Sequence, residues 1–202
     1  MYAIHARYRG RAVRRAELVS RSAEALSTLE GVGVFEVIGV EDIIAIVNTP
    51  EAVADTSMAL LSAGEWAVGI GIVPDSMKQA ADVAKRMATS ALGSRARSGV
   101  VKAKLQAPRG AKEEATAWAN DISACFLLLA TVLAKRSTEG REATSLMRRG
   151  YNQNEAAAKL GITKQAMSQR LQAAGWQAET AGWQLAVNLL ARAQEFRPAP
   201  AE

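Results

Sequence analysis

Thr163, Lys164, Gln165, Ser168, Gln169 and Arg170 fall within eight consecutive positions, interrupted only by Ala166 and Met167. Glutamine and arginine can offer paired hydrogen-bonding groups to base edges in the major groove of DNA. Lysine, serine and threonine can hold phosphate oxygens. Lys159, Arg148 and Arg149 lie just upstream. From Arg148 to Gln172 five basic residues (Arg148, Arg149, Lys159, Lys164, Arg170) stand against one acid, Glu155. The plain alternative is a helical hairpin with a solvated polar face. Nucleic acid is favoured because the charge excess and the base-reading residue types coincide in one short segment.

Two short helices, 152–160 and 163–174, must present these side chains. Asn152 followed by Glu155 is a capping-box start. Ala157 is small where a second helix has to approach, and Gly161 can take the positive φ that ends a helix abruptly. Ile162 is suited to burial under the turn, and Thr163 to capping the next helix. Met167 and Leu171, four apart, face inward and leave the polar residues outward. The stretch Glu155–Leu171, followed by Ala174-Gly175-Trp176, resembles the helix-turn-helix of the SatD family, and more widely the promoter-reading end of sigma factors. That resemblance implies a small prokaryotic protein in which a cyclase-like ferredoxin fold precedes a DNA-binding helical domain. Its counterparts in the first half are the strand Tyr2–Tyr8, the basic Arg9-Gly10-Arg11, the hairpin Gly39–Asp42 and the strand Val68–Ile72.

The residues of the first half read the same way. A strand at Tyr2–Tyr8 precedes a helix over Arg11–Leu29. Strands at Val34–Ile38 and Ile43–Val47 flank Gly39–Asp42 as a hairpin. Pro50 opens a helix to Ala63, and Trp66–Val73 is a further strand whose Gly69 and Gly71 point to close backbone contact on one face. This is the βαββαβ order of a ferredoxin-like sheet. A helix over Ser76–Leu92 and a strand over Val100–Leu105 extend it. Pro108 and Gly110 punctuate, and beyond them only helices are expected: Lys112–Lys135, Glu139–Arg149, Asn152–Leu160, Thr163–Ala174 and Ala178–Phe196. The expectation is an α+β chain with a regulatory or assembly domain over 1–107, a helical domain over 108–196 and a disordered tail over 197–202.

Nucleotide cyclases of this fold hold two metals between an acid on the first strand and another at the central hairpin. Here the first strand reads Ala3-Ile4-His5-Ala6-Arg7 without a carboxylate, and only Glu41 and Asp42 stand at the hairpin. No enzyme, metal or cofactor is therefore expected, and the lone His5 reads as structural or superficial. There is no Walker loop or dinucleotide-binding glycine pattern to name a ligand. The arginines at 7, 9, 11, 14 and 15 read as the solvated face of the first helix, balanced by Glu17 and Glu24, with phosphate binding as the alternative. Cys125 sits in an apolar run and reads as a buried small hydrophobe.

A formal net charge of +5 favours polyanionic partners. The start lacks a signal-like stretch, and the longest apolar run, Ile122–Ala134, is shorter than the roughly 18–20 residues of a membrane span. A cytoplasmic, nucleoid-associated location is expected. The helices around Trp118, Phe126, Trp183, Leu185, Leu189 and Leu190 are apolar enough for a homodimer interface. The leading expectation is a transcriptional regulator that binds double-stranded DNA. The alternatives are an adaptor in a DNA-maintenance or defence complex and a degenerate nucleotide-binding protein.

Overall fold

Five strands pack with eight helices among the residues described by the computed structural model, which are 1–74, 77, 79–107 and 110–196. The expected tail over 197–202, together with Ser76 and Pro108, lies outside them. In chain order the elements are β1 (Tyr2–Tyr8), α1 (Arg15–Leu26), β2 (Glu36–Val37), β3 (Asp42–Val47), α2 (Pro50–Ala63), β4 (Trp66–Ile72), α3 (Ala80–Leu92) and β5 (Val101–Leu105). They continue as α4 (Lys112–Ala134), α5 (Thr138–Arg148), α6 (Gln153–Lys159), α7 (Lys164–Ala173) and α8 (Trp176–Gln194). The chain is a mixed α+β protein built on one sheet.

The sheet order is β2-β3-β1-β4-β5, antiparallel except for the parallel β4–β5 pair. β1 alternates cleanly. Tyr2, Ile4, Ala6 and Tyr8 enter the large core on one face, while Ala3 belongs to a smaller cluster with α3 on the other. Gly69 and Gly71 allow α3 to lie on the β4 backbone: a Cβ at Gly69 would stand 2.2 Å from the Ala88 carbonyl oxygen, and one at Gly71 2.0 Å from that of Ala84. Ala80, Ala84 and Ala88 give α3 a matching small, buried stripe.

Three elements are shorter than their patterns predict, among them α3, which begins at Ala80 with Gln79 outside it. α1 begins at Arg15 rather than Arg11 and ends at Leu26 rather than Leu29, with Arg15 reaching Glu41 of the hairpin. Arg9 is bonded to Glu41 and the Ala96 carbonyl. β2 keeps only Glu36 and Val37 in register with Ile44 and Ile43, as an edge strand with a single neighbour.

The expected division at residue 108 does not follow the packing. α4 (through Ile122, Phe126 and Leu129) and α8 (through Ala186, Leu190 and Ala193) share one continuous core with the sheet. The Tyr2 hydroxyl donates to the Leu190 carbonyl at 3.0 Å. The reason is coverage: the face opposite α3 is too wide for α1 and α2, so helices from the later half complete it. Of the helices after residue 108, only α5–α7 has a core separate from the sheet. Among the described residues α4 is the one helix long and apolar enough to cross a membrane, and one of its faces is buried in the sheet core, including Cys125.

Candidate nucleic-acid interface

Helices α5, α6 and α7 close around Ala143, Ala156, Ala157, Met167 and Leu171, with Leu160, Ile162 and Trp176 packed at the margin. The residues between α6 and α7 fix their geometry. The Asn152 side chain accepts from the amides of Asn154 (3.0 Å) and Glu155 (3.1 Å), while the Glu155 carboxylate accepts from the Asn152 amide at 2.8 Å. The capping box is thus reciprocal. At the other end Gly161 takes φ +64°, the Ile162 amide donates to the Ala157 carbonyl (3.0 Å) and the Gly161 amide to that of Ala158 (3.2 Å). This pair of bonds is a Schellman closure, which satisfies carbonyls the helix leaves open. Two residues later the Thr163 hydroxyl accepts from the Ala166 amide at 3.1 Å and starts α7. Few degrees of freedom remain in this turn.

On α7, Met167 and Leu171 are buried, whereas Lys164, Gln165, Ser168 and Gln169 are exposed together on the opposite side. Gln172, four residues after Ser168 and also exposed, lengthens that stripe. It was legible from spacing alone but absent from the candidates. Thr163 is exposed, but its hydroxyl oxygen serves the cap. Arg170 is half-buried and faces the start of α5. There the Glu139 carboxyl is held below its usual range by its own backbone amide, then by the Ser137 hydroxyl, with the Arg170 charge adding to these.

Arg149 and Lys159 are brought together at a different place. Both stand over the Tyr151 ring, at 5.6 Å and 4.9 Å from its centroid. Both are exposed; Arg149 precedes α6 and Lys159 is its last residue.

Arg148 departs from its expected role. Its Nε donates to Glu179 of α8 at 2.7 Å, so it braces α5 against α8. Glu179 also accepts from Arg136, whose Nε donates to the Ala174 carbonyl at 2.8 Å. Arg136 and Glu179 are both buried, and neither was a sequence candidate. The available signal was one acid on α8 in the helical stripe that continues through Ala186, Leu190 and Ala193. Beside this network lies a cavity of about 500 Å³, lined in part by Met58, Trp176 and Trp183, where the Trp183 indole donates to Asp55 at 2.7 Å.

The acids of the β2–β3 hairpin are also engaged. Arg7 stands opposite Asp42 in the β1–β3 register and donates to it at 2.6 Å. Glu41 pairs with Arg9 at 3.3 Å and with Arg15. The arginine cluster is therefore balanced largely by the hairpin, with Arg14–Glu17 at 3.6 Å, rather than by Glu17 and Glu24 alone. His5 is buried beside Asp42. Burial pushes its pKa below 6.5, against the opposing pull of the Asp42 hydrogen bond and charge. In the neutral ring Nε2 donates to Asp42 (3.1 Å) and Nδ1 accepts from the Thr89 hydroxyl (2.9 Å). Among the described residues no cluster of three metal-ligating side chains is found.

Comparison with known proteins brings no match, whether to a family model, a curated protein or a solved structure.

Proposed function

We propose that the chain is a sequence-specific DNA-binding protein, a transcriptional regulator whose α7 enters the major groove as the second helix of a helix-turn-helix. The observation that carries this reading is the exposed stripe Lys164, Gln165, Ser168, Gln169 on a helix whose start is fixed by the Gly161–Thr163 turn. Gln165 and Gln169 would read base edges, preferring adenine. Lys164 and Ser168 would hold phosphates, with Arg170 beside them, and Lys159 and Arg149 would contact the backbone from beside the Tyr151 ring. Arg148 is reassigned to the Glu179 brace.

The sheet supports the rest of the reading. The order β2-β3-β1-β4 with antiparallel neighbours is that of a ferredoxin-like fold, here extended by β5, and agrees with the SatD resemblance. Its hairpin acids are neutralised by arginines, which favours a structural part for them over metal-dependent phosphoryl transfer. We place the protein in the cytoplasm with the nucleoid, as a homodimer joined through the exposed Leu127 and Leu128 of α4 and Leu185 of α8. Two copies of α7 would then read two half-sites.

Selection from random duplexes tests the reading. An enriched sequence should emerge, and Gln169→Ala should cost about 1–3 kcal/mol of discrimination at one base pair. Lys164→Ala should weaken all duplexes alike and lower the salt slope by about one. Failure to enrich any sequence, with no duplex binding at low salt, would sink it.

A further inference from the structure

The loop between α3 and β5, Gly93-Ser94-Arg95-Ala96-Arg97-Ser98-Gly99, borders a cavity of about 430 Å³. Ser90, Ser94, Arg95, Arg97 and Lys102 supply its polar lining, and no carboxylate is among the lining residues. Elsewhere on this end of the sheet the positive charges are spent on acids: Arg7 on Asp42, Arg9 and Arg15 on Glu41. Among the described residues, Arg95, Arg97 and Lys102 form no such pair. Three exposed cations therefore line one concavity without a paired acid, which leaves their charge available to an anion.

The loop is also held in shape. Arg7 donates to the Gly93 carbonyl (3.2 Å) and Arg9 to the Ala96 carbonyl (3.0 Å). The Gly99 amide donates to the Trp66 carbonyl at 2.8 Å. A trans peptide points its C=O and the following N–H in opposite directions. With the Gly93 and Ala96 carbonyls turned onto Arg7 and Arg9, the amides of Ser94 and Arg97 face away from those arginines. Neither amide has a hydrogen-bond acceptor among the described residues. Two amides without an acceptor, on residues that line the cavity, are donors left over for an anion. The carboxyl end of α3 contributes only about half a negative charge nearby, which offsets a fraction of the three positive ones.

We propose that this cavity binds a phosphoryl group, with Arg95, Arg97 and Lys102 as the charge partners, the Ser94 and Arg97 amides as donors, and the Ser90 and Ser94 hydroxyls as further donors. The phosphoryl group belongs either to a small phosphorylated ligand or to a nucleic-acid backbone. The site is separate from α7 and does not depend on the DNA reading.

Amide NMR of the full chain tests it, in a Lys164→Ala/Arg170→Ala background that disables the proposed α7 contacts. Inorganic pyrophosphate is one probe and a short random-sequence duplex the other. Saturable shifts of the Ser94 and Arg97 amides are expected, weakened at least about tenfold in Arg95→Ala/Arg97→Ala/Lys102→Ala. The single Arg97→Ala, at an exposed and unpaired position, should move in the same direction. A response to pyrophosphate supports a small phosphorylated ligand, and a response to the duplex alone supports the nucleic-acid backbone. No saturable shift with either probe, or shifts that survive the triple substitution, would overturn the assignment.

Discussion

Replacing Glu179 with glutamine keeps the side-chain shape and removes the charge that Arg136 and Arg148 share. The Arg136 and Glu179 side chains are 2% and 5% exposed, so Arg136 would be left as a buried cation. Breaking a buried pair in this way costs about 3–5 kcal/mol. The lower end applies, because Arg136 keeps its bond to the Ala174 carbonyl and the new amide can still accept one hydrogen bond. Arg148, 38% exposed, adds no more than about 1 kcal/mol. A loss of about 3–4 kcal/mol corresponds to roughly 6–16 °C in Tm for a chain of this size. Denaturant unfolding followed by circular dichroism and by tryptophan emission measures it, since Trp176 and Trp183 flank the network. Arg136→Met combined with Glu179→Met should recover much of the loss, because a buried pair can be exchanged for apolar groups more cheaply than it can be halved. A cost for Glu179→Gln below about 1 kcal/mol, or no recovery in the double variant, would refute the reasoning.

Gly71→Ala forces a Cβ to within 2.0 Å of the Ala84 carbonyl oxygen, and α3 must lift from β4. Urea unfolding should show a loss of about 1–3 kcal/mol or more. His5, the only histidine, is held neutral by burial. The unfolded chain takes up a proton below about pH 6.5 that the folded chain resists, so this contribution to stability is complete above that pH and is lost as the pH falls. His5→Gln should flatten the difference in unfolding free energy between pH 7.5 and 5.5, and an unchanged difference would count against the assignment. Thr163→Ala removes the α7 cap and should cost about 1 kcal/mol, with faster amide exchange confined to the first turn of α7.

What could be read ahead of the structure was set by neighbours in sequence. Asn152 with Glu155, Gly161 with Ile162, and Thr163 with Met167 act within one turn, so spacing alone locates the caps and the bend. Gly69 and Gly71 likewise announced close contact, because a strand gives up side chains only where something approaches. The partners of charged groups were not readable in this way. Arg7 meets Asp42 through strand register, and Arg148 meets Glu179 through tertiary packing. Arg148 therefore looked like a phosphate contact until its carboxylate came into view. The periodicity of α4 and α8 showed which face of each is buried, but not that the sheet buries it.

This last point makes the architecture testable. α5–α7 sits between α4 and α8, and its two ends nearly touch: Arg136 donates to the Ala174 carbonyl, and a Cβ on Gly140 would stand 3.1 Å from the Ala174 Cβ. At the next level Gly175 lies against Val132, with Gly182 packed on Leu129, so α4 and α8 run antiparallel as one layer over the sheet. A unit with its own core and adjoining ends can be removed without uncovering its host. Exchanging residues 138–174 for a short Gly/Ser linker should leave a cooperatively unfolding sheet protein, in which Arg136 loses the Ala174 carbonyl and Glu179 loses Arg148. The fragment 1–107, by contrast, lacks the cover that Ile122, Phe126, Leu129, Ala186 and Leu190 provide, and leaves core positions such as Ile70 and Val101 open to water. It should bind a hydrophobic dye and unfold without a sharp transition. Cooperative, dye-free unfolding of 1–107 would return the boundary to residue 108 and make α4 and α8 part of the helical unit after all.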